Sequence, residues 1–180
     1  MLRPWARSYA GRAPHPDAQS SYKTGPGPAR QAQGMTAETT APAPVRFDTK
    51  IAVLLREDLE TWQRLNVTAF LVSGLGTVAP EVIGEPYTDA DDTPYLPMFR
   101  QPVLVFEGAK ETLSTAHTRA AGRGVALSVF TSDLFATGND RDNRAAVRAV
   151  HRDALDLVGI AVHGPRNAVD KILKGASMHR

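Results

Sequence analysis

The segment Leu155–Gly175, LDLVGIAVHGPRNAVDKILKG, restricts the fold of this chain more than any other. From Leu157 to Val162 no side chain carries a charge or a hydrogen-bonding group. Such a run is far shorter than the ~18 apolar residues a membrane span needs, and it suits a strand covered on both faces. A strand over residues 155–162 is therefore predicted. Gly164-Pro165 then turns the chain, and proline is favoured where a helix begins. Val169, Ile172 and Leu173 fall on one helical face, Asp170 and Lys174 form a favourable i,i+4 pair, and Gly175 is placed to end the helix.

Two earlier runs repeat the strand signal. Ile51-Ala52-Val53-Leu54-Leu55 and Pro102-Val103-Leu104-Val105-Phe106 are continuous rather than alternating, and Val125–Phe130 places Val125, Leu127 and Val129 on one face. Helices are predicted between them. One runs over about 59–73, capped by Asp58, with Trp62, Leu65, Ala69 and Val72 at helical spacing and Gly74 at its end. A second contains Leu113, Ala116, His117 and Ala120, with His117 on its packed stripe. A third, capped by Asn139 or Asp140, contains Ala145, Val147 and Val150. Residues 131–138 read as a loop or short helical turn. Residues 82–88 and 95–99 flank the turn-forming Asp89-Ala90-Asp91-Asp92, so a hairpin excursion follows the first helix, and Pro86, Pro94 and Pro97 confine it to an edge. Four strands alternating with helices predict an α/β layer architecture with helices on both faces of a mostly parallel sheet.

Composition divides the chain. Residues 1–44 hold seven prolines, four glycines and nine alanines, with Leu2 as the one large aliphatic. Such a stretch buries too little to offset ordering, so residues 1–45 are read as a disordered basic tail, with Met35 as an alternative start, and 46–180 as a single domain. The tail carries five Lys/Arg against two acids, the remainder 16 against 17. The basic balance therefore belongs to the tail, which weakens an argument for nucleic acid from net charge. The absence of cysteine excludes disulfides and thiolate metal sites. No secretory h-region and no membrane-length run is present, and a cytoplasmic location is expected.

The segments KIAVLLREDLETWQRLNVTAFL, YLPMFRQPVLVF and LVGIAVHGPRNAVDKILKG together resemble the bacterial family called domain of unknown function two thousand, over roughly residues 46–179. That family's fold is similar to type II peptidyl-tRNA hydrolase. The resemblance implies a three-layer α/β/α sandwich around a mixed four-stranded sheet. Leu157–Lys174 resembles the hydrolase's closing strand and helix. Thr131-Ser132-Asp133 resembles its loop after the third strand, so that Asp133 and Thr137 stand where the hydrolase carries an Asp and a Thr. The hydrolase's first helix has a lysine-bearing start and an Ala-Ala-Gln-x-x-His run. Here Thr61-Trp62-Gln63-Arg64-Leu65-Asn66-Val67-Thr68-Ala69-Phe70 replaces them, and shared fold does not carry shared chemistry.

Candidate site residues follow from position. Asp133, at a strand end, can orient water or a hydroxyl, with Thr137 beside it, or it can cap the next turn. Gly164, Arg166 and Asn167 open the last helix, where free N–H groups and a guanidinium suit an anion. His163 precedes them and offers an imidazole, or a strand-end hydrogen bond. Arg100 and Gln101, between Phe99 and Pro102, can clamp an anion or brace the hairpin. Arg141, Arg144, Arg148 and Arg152 recur along one helix face that RNA phosphates or solvent can take. His151 and His179 read as surface residues. No His/Asp/Glu set has metal-ligand spacing, and no metal or cofactor is expected. Gly74-Leu75-Gly76 follows a helix rather than a strand and is no dinucleotide fingerprint.

Three functions stay open on this reading. The first is a small binding protein for an anionic small molecule near the carboxyl ends of the strands. The second is an ester hydrolase acting on aminoacyl- or peptidyl-tRNA-like substrates. The third is a structural or oligomeric protein, for which Tyr87, Tyr95, Met98 and Phe99 offer an apolar patch that a homodimer would bury.

Overall fold

The computed structural model describes residues 45–179, and the tail assigned to the first 45 residues lies outside them but for Val45. From Arg46 onward the chain forms one compact unit. Its element order is β1 (Thr49–Arg56), α1 (Thr61–Val78), β2 (Tyr87–Thr88), β3 (Pro94–Tyr95), β4 (Val103–Gly108), α2 (Lys110–Ala121), β5 (Ala126–Thr131), α3 (Asp140–Arg148), β6 (Leu157–Pro165), α4 (Arg166–Ile172) and β7 (Ser177–Met178).

The main sheet has five strands in the order β5-β6-β1-β4-β7. This corrects the expected four-stranded, mostly parallel sheet. Only β1 and β4 pair in parallel; β6 is antiparallel to both β1 and β5, and β7 is antiparallel to β4. The physical reason is that a continuous apolar run reports burial on two faces and carries no direction. The fifth strand was invisible because Ser177 and Met178 are exposed and extend the edge through backbone bonds, among them His179 N–H to the Val105 carbonyl at 3.0 Å.

Alternation along β1 sorts the core. Ile51, Val53 and Leu55 pack with Val67, Leu71 and Leu75 of α1. Ala52 and Leu54 point the other way, to Leu113, Ala116 and Ala120 of α2 and Val169 and Ile172 of α4. Helices therefore cover both faces of β1, and each fully buried valine, leucine or isoleucine among these contributes roughly 1.5–3 kcal/mol.

Several boundaries differ from expectation for local reasons. α1 starts at Thr61 with Glu60 as its cap, and Gln63 Oε1 accepts the Glu60 N–H at 2.9 Å in a capping box. Asp58 turns instead to Arg56. α1 also runs through Gly74 to Val78. A Cβ at Gly74 would lie 2.8 Å from Ser128 Oγ, so this glycine serves close approach to β5 rather than helix termination. At the other end of the chain, β6 continues to Pro165, which caps the seven-residue α4 instead of starting it. Gly175 ends that segment at φ +101°, a conformation glycine adopts without strain. Asp170 pairs with Lys50 rather than Lys174. Paired strands in the hairpin shrink to two residues each, with an Ile83–Phe99 bridge at its base. Among the described residues, no helix is long and apolar enough to cross a membrane.

Candidate functional site

Because β6 runs against β1, β4 and β5, the sheet has one edge carrying the carboxyl ends of those three strands and the start of β6. The opposite edge carries their amino ends and the finish of β6. The expected site residues divide between the two. Asp133 and Thr137 follow β5 at the carboxyl edge. His163, Gly164, Arg166 and Asn167, with Arg100 and Gln101, lie at the amino edge. The Ile51–His163 and Thr131–Leu157 registers are six residues apart along β6, roughly 20 Å.

At the carboxyl edge the charges are knotted together. Arg56, the last residue of β1, donates through Nε to Asp58 Oδ1 at 2.7 Å and through Nη1 to Asp156 Oδ1 at 3.1 Å. Lys110, the first residue of α2, approaches the same Asp156 oxygen at 2.7 Å. The Asp156 carbonyl accepts the Ser132 N–H at 2.9 Å. Hydrogen bonds from the Lys110 and Ser132 side chains, with further help from the Arg56 charge, hold the Asp156 carboxyl below its ordinary value against a smaller opposing effect of burial. A carboxylate stabilised in this way stays ionised. It accepts hydrogen bonds and attracts cations, and it is a poor proton acceptor near neutrality.

Arg56, Glu57, Asp58, Ala109, Lys110 and Asp156 line an open cleft of about 350 Å³. Beside it, Arg64 of α1 crosses the β1–α1 connection, donating to the Leu59 carbonyl at 2.9 Å, the Glu57 carbonyl, and Glu107 Oε2 at 2.9 Å. His179 Nε2 lies 4.0 Å from that Glu107 oxygen. Thr61, Arg64, Leu65, Glu107 and His179 line a second depression of about 350 Å³. His179, expected at the surface, is thus drawn to the first turn of α1 by β7. Trp62 in that turn stacks edge-on to Phe135 at 5.7 Å, and Phe135 lies 5.2 Å from Phe130.

Asp133 is exposed at this edge, one residue beyond Ser132, and its Oδ2 lies 3.5 Å from Thr131 Oγ1. The Thr137 hydroxyl is engaged with the Leu134 carbonyl at 2.9 Å and with Asn143 Oδ1, so it ties the turn before α3 to that helix. At the amino edge, the Arg166 N–H donates to the Asp48 carbonyl at 3.1 Å and its guanidinium lies 3.5 Å from the Phe47 carbonyl. Arg166, Asn167 and Arg100 are exposed, whereas Gln101 and His163 are buried. Along α3, Arg141 pairs with Asp142 and Arg144 with Asp140; past its end, Arg152 pairs with Asp153. His117 is buried as expected, and that burial, reinforced by Arg152, lowers its pKa despite Asp153.

Sequence reasoning missed Arg56, Lys110, Asp156 and Glu107. Each reads in isolation as a solvated charge. The signal available was positional, since Arg56, Glu107 and Lys110 all follow the apolar runs that became β1 and β4.

Known proteins place this arrangement in a family without assigning it a task. A solved protein of unknown function from Agrobacterium tumefaciens strain C58 is 44% identical, with a TM-score of 0.73 over 75% of this chain and 100% of that one. No curated protein matches. The family described as "Protein of unknown function (DUF2000)" matches residues 49–180, and this chain belongs to it.

Proposed function

We infer that the protein binds a small amphoteric molecule, one bearing both an anionic group and an ammonium or comparable donor, in the carboxyl-edge cleft. One observation carries this reading: two cations, Arg56 and Lys110, and three carboxylates, Glu57, Asp58 and Asp156, line the same 350 Å³. The volume suits a metabolite-sized ligand. The place is where α/β sheets commonly bind ligands, outside the carboxyl ends of parallel strands. Lys110 is more than half exposed and opens α2, so its charge and the helix N-terminus favour an incoming anionic group. A simple anion would face an excess of carboxylates, whereas a molecule with both charges satisfies both sets. Free amino acids have this character.

Isothermal titration with a panel of amino acids, N-acetylated amino acids and dicarboxylates tests the reading. Compounds carrying both charges should bind, and Lys110→Ala and Asp58→Asn should each weaken them at least tenfold. Equal binding of the N-acetylated forms, or binding indifferent to both substitutions, refutes it.

A second reading makes such a ligand a substrate, an aminoacyl or peptidyl ester of RNA on a fold similar to type II peptidyl-tRNA hydrolase. The exposed Asp133, adjoining Ser132 at the carboxyl edge, supports it as the group that orients water. Release of label from peptidyl-tRNA should then exceed background and fall with Asp133→Ala; a background rate removes this second reading.

A further inference from the structure

Three polar side chains lie near one another on the α1 face of the sheet toward its amino edge, at the entry of β4, on β1 and on β6. Directly paired residues share a face, so His163, opposite Ile51, points to the side on which Ile51 packs beneath α1. Thr49 lies two residues before Ile51 and Gln101 two before Val103, which packs against the same cluster. Thr49 Oγ1 donates to Gln101 Oε1 at 3.0 Å, which joins β1 to the entry of β4. Thr49 pairs with Pro165, so His163 is its diagonal neighbour, at a Cα separation of roughly 7–8 Å that long side chains bridge.

Gln101 and His163 are each 7% exposed. Gln101 Nε2 and His163 Nε2 are shut off from solvent and have no hydrogen-bond partner in the protein. Around them lie Ile51, Val103 and Ala126. A buried donor without an acceptor is strongly destabilising, and folded proteins resolve such atoms with a bound group. Two of them on either side of β1 call for an occupant.

The valences of the three side chains define its chemistry. Gln101 Nε2 only donates. The Thr49 hydroxyl, having donated to Gln101, only accepts. His163 Nε2 does either, according to its tautomer. An occupant that meets both orphaned atoms must accept from Gln101 Nε2 and pair with His163 Nε2 in whichever sense its tautomer sets. A charged one would lack a counterion, because Lys50 is held by Asp170, Arg166 lies against the Phe47 carbonyl, and Arg100 is in solvent. We propose that Gln101, Thr49 and His163 form an occluded site for a neutral hydroxyl-type group, supplied either by a water molecule or by the hydroxyl of a small alcohol. The site differs from the carboxyl-edge cleft in place and chemistry, and its occupant bridges β4, β1 and β6 beneath α1.

Water–protein NOE spectroscopy on the isotope-labelled full chain, paired with mass spectrometry of an extract from the denatured protein, tests the assignment. The expected result is a long-lived cross-peak from the Gln101 side-chain amide to water, or an extracted alcohol in stoichiometric amount; the two outcomes separate the two sources. His163→Gln, which keeps a donor and acceptor, should retain the occupant, and Gln101→Leu should lose it and lower the melting temperature. No cross-peak and no extracted alcohol in the unaltered protein overturns the proposal, as does a Gln101→Leu variant that melts higher than the parent.

Discussion

Asp156 joins four elements through one short side chain. It meets Arg56 at the end of β1, Lys110 at the start of α2 and Ser132 in the turn after β5, while itself leading into β6. Its carboxyl is held below the ordinary value of 3.8, with the Lys110 and Ser132 hydrogen bonds as the main causes. For an acid with a depressed folded-state pKa, the linked stability is fully present above the unfolded value. It is lost as pH falls through the folded one. Asp156→Asn should therefore lower stability at pH 7 and flatten the acid limb of the stability curve below about pH 4. Denaturant melts at pH 7 and at successive acidic values measure this. An unchanged slope in the variant would show that another carboxylate governs acid unfolding.

At the scale of elements, the contact between α1 and β6 is the tightest constraint. A Cβ on Gly159 would lie 2.5 Å from Val67 Cγ1 and 2.9 Å from Leu71 Cδ1, so helix and strand meet with no room for a methyl group. Gly159→Ala should cost about 1–3 kcal/mol by overpacking, and Val67→Ala in the same chain should recover part of it. Urea unfolding of both variants checks this, and additive losses would show that the two residues do not share the space. Much of this was legible in the sequence. The runs at Ile51–Leu55, Val103–Phe106 and Leu157–Val162 became β1, β4 and β6 because apolar side chains at every position can be buried only in a strand covered twice. Strand direction was not legible, since burial has no polarity. That one gap displaced the candidate site: His163 and Arg166 looked like neighbours of Asp133 only while β6 was taken to run alongside β5 in a mostly parallel sheet. Arg56, Lys110 and Asp156 were missed for a related reason, since their charges acquire meaning only where β1, α2 and β6 meet.

For the whole molecule, among the described residues every buried member of the two core clusters lies between Ile51 and Leu173. A fragment spanning residues 46–180 should therefore fold by itself and unfold in one cooperative transition. Calorimetry of the fragment checks this, and a broad or absent transition would overturn it.

The strand order also sets a timetable for synthesis. β6 lies inside the sheet between β5 and β1, yet Arg56 and Leu157 are 101 residues apart in the chain. During translation β1 can gain β4 on one side early, while its other side stays an unpaired edge until β6 has been made. The nascent chain thus carries the fully apolar Ile51–Leu55 edge through most of its elongation, a template for misassembly with neighbouring chains. Late closure by β6 is thus the step at which misassembly competes with folding.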